Sequence, residues 1–291
     1  MAGTARQGTK RARFAPYGLL SPGVIWLILF FMVPVMVLFR TSLSDRPNRF
    51  VPNALNFSWN FSNYTDALSQ YGEQFQRSFV YAAAATIACF AIGYPLAYVI
   101  AFRGGRYRNL LLGLVVIPFF TTFLIRTLAW KTILADEGFV VQTLRDLGIL
   151  AANGRLLATP LAVIGGLTYN FLPFMILPIY VSLEKIDRNL VDAAKDLYAT
   201  PARAFWRVVF PLSLPGVFAG TLLTFIPACG DFINAAFLGS PQTTMIGNVV
   251  QNQFLVQLDY PTAAALSFTL MIIITVAVLI YAKVLGTEDI A

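Results

Sequence analysis

The stretch LVDAAKDLYATPARAFWRVVFPLSLPG, Leu190 to Gly216, sets a run of charge between two long apolar segments. It holds Asp192, Lys195, Asp196, Arg203 and Arg207, although only 12% of the 291 residues are charged and 57% are apolar. The spacing is too regular for a solvated loop. Leu190, Ala193, Ala194 and Leu197 recur at i, i+3, i+4 and i+7, one stripe of an amphipathic helix. Asp187 is placed to cap that helix, with Asp192, Lys195 and Asp196 on its other faces. Thr200-Pro201 then ends the first helix and starts a second, with threonine at the cap and proline at the first helical position. Phe205, Val208 and Val209 carry the apolar pattern on, and the second helix is expected to stop before Pro211. The block therefore reads as a short helical hairpin. Such a hairpin can rest in a lipid headgroup layer. The small side chains of Ala193 and Ala194 favour instead the close approach of a partner surface.

Outward from the hairpin the chain is greasy on both sides. A soluble domain carries about 25% charged residues, roughly twice the share found here. A membrane crossing needs about 20 apolar residues. Six stretches qualify: 17–39, 79–102, 110–130, 159–182, 213–238 and 262–284. The expected fold class is all-α and integral to the membrane, in one transmembrane domain over 17–284. A basic tail (1–16) precedes it, the loop 184–212 lies within it, and a short tail (285–291) follows. The first span is 23 residues, too long for the ~7–15-residue apolar core of a cleavable leader, so it reads as an uncleaved anchor.

Basic residues set the orientation. Segments 1–16, 103–109 and 184–212 hold Arg6, Lys10, Arg11, Arg13, Arg103, Arg106, Arg108, Lys185, Arg188, Lys195, Arg203 and Arg207. The longer opposite loops hold Arg40, Arg46, Arg49, Arg77, Lys131, Arg145 and Arg155. Both termini are expected in the cytoplasm. Topology then accounts for the net charge of +7, and a nucleic-acid partner drops out.

Other chemistries lack their residues. There is no histidine, and the two cysteines, Cys89 and Cys229, fall within expected spans, so no catalytic residue, metal site or disulfide framework is read. Gly3–Arg11 imitates a phosphate loop, but Lys10 comes one position late and the stretch sits in a basic tail. Asn56, Asn60 and Asn63 each begin a glycosylation sequon, informative only in a eukaryotic protein. An ion channel would need a ring of charges or a pore loop. An intramembrane enzyme would need clustered nucleophiles or paired carboxylates. Neither is visible.

The hairpin resembles the loop shared by permease subunits of bacterial ABC importers, a Glu-Ala-Ala start, a Gly further on and an Ile-x-Leu-Pro close. The pattern here reads Asp192-Ala193-Ala194, Tyr198, then Val208-Val209-Phe210-Pro211. The resemblance implies the type I importer permease fold, with this loop as the coupling helix and Asp192, Ala193, Ala194, Leu197, Tyr198 and Pro211 seated in an ATPase subunit. ATP and Mg belong to that partner, and no cofactor is expected on this chain. Tyr198 stands where the family carries glycine. Either the first helix runs past it, or its angle to the second differs.

Pro118–Trp130 (PFFTTFLIRTLAW), Ile226–Gly239 (IPACGDFINAAFLG), Met245–Phe268 and Asn63–Leu68 are similar to the first membrane subunit of spermidine/putrescine importers. This implies a second permease, two ATPase subunits, an extracytoplasmic solute-binding protein and a polycationic solute. The same machinery with another organic cation, an amino-acid derivative or a sugar is the alternative. A polyamine path needs carboxylates, aromatic faces and amide oxygens. Asp231, Asn234, Tyr169, Asn170, Trp130 and Asp259 are the candidates, although Trp130 and Tyr169 also suit packing and Asp259 a solvated loop. Arg126 is expected to snorkel, to pair with Asp231, or to order an outer gate. Gly216–Gly220 and Gly165-Gly166 offer small-residue packing seams, and Pro95, Pro118, Pro173, Pro178 and Pro227 permit kinks.

Overall fold

Apolar runs become helices because backbone N–H and C=O groups in hydrocarbon have no water to bond. The computed structural model describes residues 20–45, 56–151 and 153–284; the two tails of the sequence reading lie outside the described residues. In chain order the helices are α1 (Leu20–Ser42), α2 (Ser62–Arg103), α3 (Gly105–Phe120), α4 (Phe123–Ile133), α5 (Phe139–Asp146) and α6 (Pro160–Glu184). They continue with α7 (Arg188–Asp196), α8 (Pro201–Cys229), α9 (Ile233–Leu238), α10 (Ile246–Leu255) and α11 (Tyr260–Val284). Among the described residues five are long and apolar enough to cross a membrane, or six where α3 and α4 together count as one broken span.

The axis of the molecule is α6, packed between α2 and α8. Its Leu167, Met175, Ile176, Ile179 and Leu183 are fully enclosed. Lipid is as apolar as these side chains, so close backbone approach rather than water exclusion holds the helices together. A Cβ on Gly216 would stand 2.5 Å from the Pro178 carbonyl oxygen, and one on Gly220 2.9 Å from Met175 Sδ. The Gly216–Gly220 seam is thus the α8–α6 contact. In contrast, α1 lies against α11 and leaves nearly all its side chains exposed to the surrounding lipid zone.

Three expected spans are corrected. The second helix starts at Ser62 rather than residue 79, bent at Tyr71 (φ −117°, ψ 16°), because Ala67 and Phe75 find partners in Ile246, Val249 and Leu266 outside the main core. The third is not one span over 110–130. Thr121 and Thr122 are extended (ψ 139° and 145°), and the axis turns by 93° between α3 and α4. Pro118, lacking an N–H, tightens the last turn of α3 before that break. The fifth begins at Pro201 and ends at Cys229 rather than running from 213 to 238, so the second hairpin helix does not stop before Pro211.

That continuity depends on a widened turn. Phe205–Val209 is π-helical, with the Phe210 N–H donating to the Phe205 carbonyl, and Pro211 follows. Ile28–Met32 in α1 has the same form, with Pro34 at the same offset. The wider turn makes room for a ring that would otherwise strike the preceding carbonyl.

Of the sequon asparagines, Asn63 is buried and donates to the carbonyls of Ser42 (3.0 Å) and Ser44 (2.9 Å). It fastens the end of α1 to the start of α2 and is inaccessible to modification.

Candidate functional site

At one end of the helical body the hairpin is built as capping chemistry dictates. Asp187 accepts the Asn189 N–H at 3.0 Å, and Thr200 accepts the Arg203 N–H at 3.3 Å with Pro201 opening α8. The predicted stripe divides. Val191 and Ala194 turn towards the body, while Leu190, Ala193 and Leu197 face out. Leu197 is 82% exposed. Asp192 is exposed and pairs with Lys195 at 2.8 Å, a hydrogen bond that pushes the Lys195 ammonium above its ordinary pKa. An exposed pair of this kind adds little stability.

The first helix does not run past Tyr198: α7 ends before it, and the residue itself adopts the left-handed conformation, φ +59°. The second helix is held by aromatics. Phe205 stands edge-on to Tyr94 (5.7 Å) and Tyr98 (5.8 Å), and the Tyr94 hydroxyl lies 2.8 Å from Ser213 Oγ. Arg108 bonds Glu184 and Tyr180, and Arg188 reaches the Ala101 carbonyl at 3.4 Å. The two basic loops therefore meet at one end.

Towards the other end lies a buried polar cluster. The α3–α4 break brings Thr127 against α6, and the break after Cys229 brings α9 against the same face. Asn170 Nδ2 donates to Thr127 Oγ1 (3.2 Å) and to Asn234 Oδ1 (3.1 Å). Asp231 follows the span rather than lying inside it, and its Oδ1 accepts the Asn234 N–H at 2.7 Å, capping α9. Gly166 permits this meeting, because a Cβ there would stand 2.4 Å from Leu238 Cδ1 and 2.7 Å from Asn234 Oδ1. The cluster is incompletely satisfied: Asn170 Oδ1 and Asn234 Nδ2 are buried without a hydrogen-bond partner among the described residues.

Arg126 makes no ion pair with Asp231. It is 8% exposed, its guanidinium lies over the rings of Phe119 (5.3 Å) and Phe123 (5.6 Å), and Nε and Nη1 have no acceptor among the described residues. Trp130 and Tyr169 meet edge to face at 5.5 Å, and α4 continues past Trp130. Tyr169 also lines a groove of about 330 Å³ with Leu96, Leu111, Pro118 and Pro173. Asp259 stands apart from the cluster's hydrogen bonds. Its carboxylate accepts the Thr262 N–H (3.2 Å) and hydroxyl (2.8 Å), which caps α11.

Residues 93–285 match the family described as binding-protein-dependent transport system inner membrane component. This chain belongs to that family. Its relatives include the spermidine/putrescine transport system permease protein PotB of Haemophilus influenzae, 39% identical over 88% of this chain and 89% of that one. PotB of Escherichia coli strain K12 is 38% identical over 88% and 92%. A solved bacterial ABC transporter involved in import of the acidic polysaccharide alginate superposes with a TM-score of 0.70 at 18% identity, over 96% of this chain and 97% of that one. The fold is that of an ABC importer permease, and the chain is a multi-pass transport subunit, not an enzyme.

The matched region of this permease contains the hairpin and the whole polar cluster, but not α1 or residues 62–92 of α2. Thr127, Gly166 and Asn248 were not singled out as site residues from sequence. Asn248 Nδ2 donates to the Phe232 carbonyl at 2.6 Å, satisfying the chain break that holds Asp231. Each is a small or polar residue in an apolar run. That signal is shared by many packing positions and separates none of them.

Proposed function

We propose that this permease is one of two membrane subunits of an ATP-driven importer for polyamines of the spermidine and putrescine class. The 39% identity to PotB over 88% of the chain carries the reading. Fold alone does not, since an alginate importer shares it. A second permease completes the path, two ATPase subunits bind ATP and Mg, and an extracytoplasmic binding protein delivers the solute. Both termini and the hairpin face the cytoplasm.

The continuous α8 supports a mechanical role for the hairpin. Its 29 residues span about 43 Å at 1.5 Å per residue, from the capped start at Pro201 to the break at Gly230. A push on the hairpin reaches the polar cluster as movement of one rod, with Phe205 wedged against α2 as its bearing. Alternating access follows if that movement opens and closes the contacts of Asn234 with Thr127 on α4 and Asn170 on α6. Asp231 supplies a carboxylate for an ammonium group; Asn170 and Asn234 supply amide groups.

The test is uptake of radiolabelled putrescine and spermidine by the complete complex in a host lacking its own polyamine uptake. An assembled, ATP-hydrolysing complex that accumulates neither would overturn the assignment of solute. Asp231→Asn preserves the cap on α9 while removing the charge. Uptake should fall about ten-fold or more, the scale of a lost charge-assisted contact. Unchanged uptake with intact assembly removes Asp231 from the path.

A further inference from the structure

Two kinds of donor meet at the elbow between α3 and α4, and neither is satisfied there. Thr122, the cap residue of α4, accepts no bond from the helix with its side chain. The first N–H groups of a helix have no partner within it, and those of Phe123, Leu124 and Ile125 have none elsewhere among the described residues. One turn on, the Arg126 side chain folds back so that its guanidinium lies over Phe119 and Phe123, the rings on either side of the elbow. It is buried, with Nε and Nη1 unbonded among the described residues. A helix N-terminus carries partial positive charge, so it and the guanidinium repel each other and together call for an anion.

The elbow lies within the hydrocarbon depth. From the basic loop 103–109, α3 (Gly105–Phe120) rises about 24 Å at 1.5 Å per residue, less than the ~30 Å core. Irregular backbone survives at that depth only where protein covers it or water reaches it. Phe120 is 87% exposed and Thr121 and Thr122 are exposed, so this chain does not cover its own elbow. Headgroup phosphates lie outside the core, and a polycationic solute is repelled by the guanidinium. A carboxylate on a neighbouring protein surface meets the need. Its two oxygens can take a guanidinium N–H and a helix N–H together, and the surface that bears it seals the elbow from lipid. We propose that the α3–α4 elbow is an anion-binding notch that receives an aspartate or glutamate of the second permease, with Arg126 and the first N–H groups of α4 as donors. This rests on the reading that two membrane subunits form an importer for a polycation.

The test uses the complex purified through a tag on this chain. Arg126→Lys puts an amine at the notch, and a lipid-soluble carbodiimide condenses an amine with a carboxylate in contact, with net loss of water. Mass spectrometry should map an amide from position 126 to an acid of the second permease. On dilution in detergent, the second permease should dissociate from Arg126→Met at about thirty-fold higher concentration than from wild type, the scale of truncating one partner of a buried pair. Arg126→Lys should hold it better than Arg126→Met. Alone, the Arg126→Met chain should unfold at no lower temperature than wild type, because an unpaired buried charge has gone. A lower temperature would mean that Arg126 serves this chain's own fold, and overturns the proposal. So does unchanged association, the absence of an amide, or an amide to Asp231 or any other acid of this chain. Loss of tightly held phospholipid from Arg126→Met with the pair intact gives the notch to lipid and likewise overturns it. If no second permease copurifies with the wild type, the paired-subunit reading fails and the notch with it.

Discussion

Asn170 ties the polar cluster together, because its amide donates both to Thr127 on α4 and to Asn234 on α9. Hydrogen bonds between membrane helices are weaker than burial alone suggests, averaging about 0.6 and reaching about 1.7 kcal/mol in double-mutant cycles. The Asn170→Ala and Asn234→Ala pair should therefore couple within that range in reversible unfolding from detergent or bicelles. Additive losses would mean that the two side chains do not act together. Gly166→Ala tests the same meeting sterically. Its Cβ would overlap Leu238 and Asn234, so α9 must shift, at a cost of about 1–3 kcal/mol for overpacking. Gly165→Ala is the control, since a Cβ there meets nothing within 4 Å. Equal unfolding temperatures for the two variants would show that α9 is not seated on α6.

At the scale of elements, the junction of hairpin and span carries the motion. Phe205 touches Tyr94, Tyr98 and Phe210 but is not part of the exposed tip. Phe205→Ala should leave ATPase association intact, cost about 3 kcal/mol of stability as an aromatic truncation, and depress uptake per ATP hydrolysed. Loss of association in step with uptake would show that the junction shapes the docking surface instead. Much of this element-level picture was legible. The caps at Asp187 and Thr200, the hairpin, and the α6 and α11 spans follow from periodicity and capping residues. The π turn did not, because Pro211 reads as a stop signal unless the wider turn is known. The breaks at Thr121-Thr122 and after Cys229 were hidden for another reason. Hydropathy reports burial in lipid, and it stays high through a 93° bend. Part of the aromatic cover of Arg126 comes from Phe119 across the break, a neighbour that a straight helix would orient differently.

For the whole molecule, the question is which end faces the cytoplasm. Loops 103–109 and 184–212 meet through Arg108, Glu184 and Arg188, whereas α5, the outer part of α2 and α10 gather at the opposite end. The basic residues of the first group predict that their end faces the cytoplasm, by the positive-inside rule, which counts lysines and arginines in short loops near span ends. Cys89 and Cys229 are both fully buried, so the native chain should react slowly with polar thiol reagents. Ala202→Cys in the exposed start of α8 and Phe139→Cys in the exposed start of α5 then report opposite ends. In intact cells with an outer membrane opened to the reagent, an impermeant maleimide should modify Phe139→Cys and spare Ala202→Cys; inverted vesicles should reverse the pattern. Modification of Ala202→Cys from outside would place the hairpin away from any cytoplasmic motor. No rod running through α8 could then couple ATP hydrolysis to the cluster around Asn234.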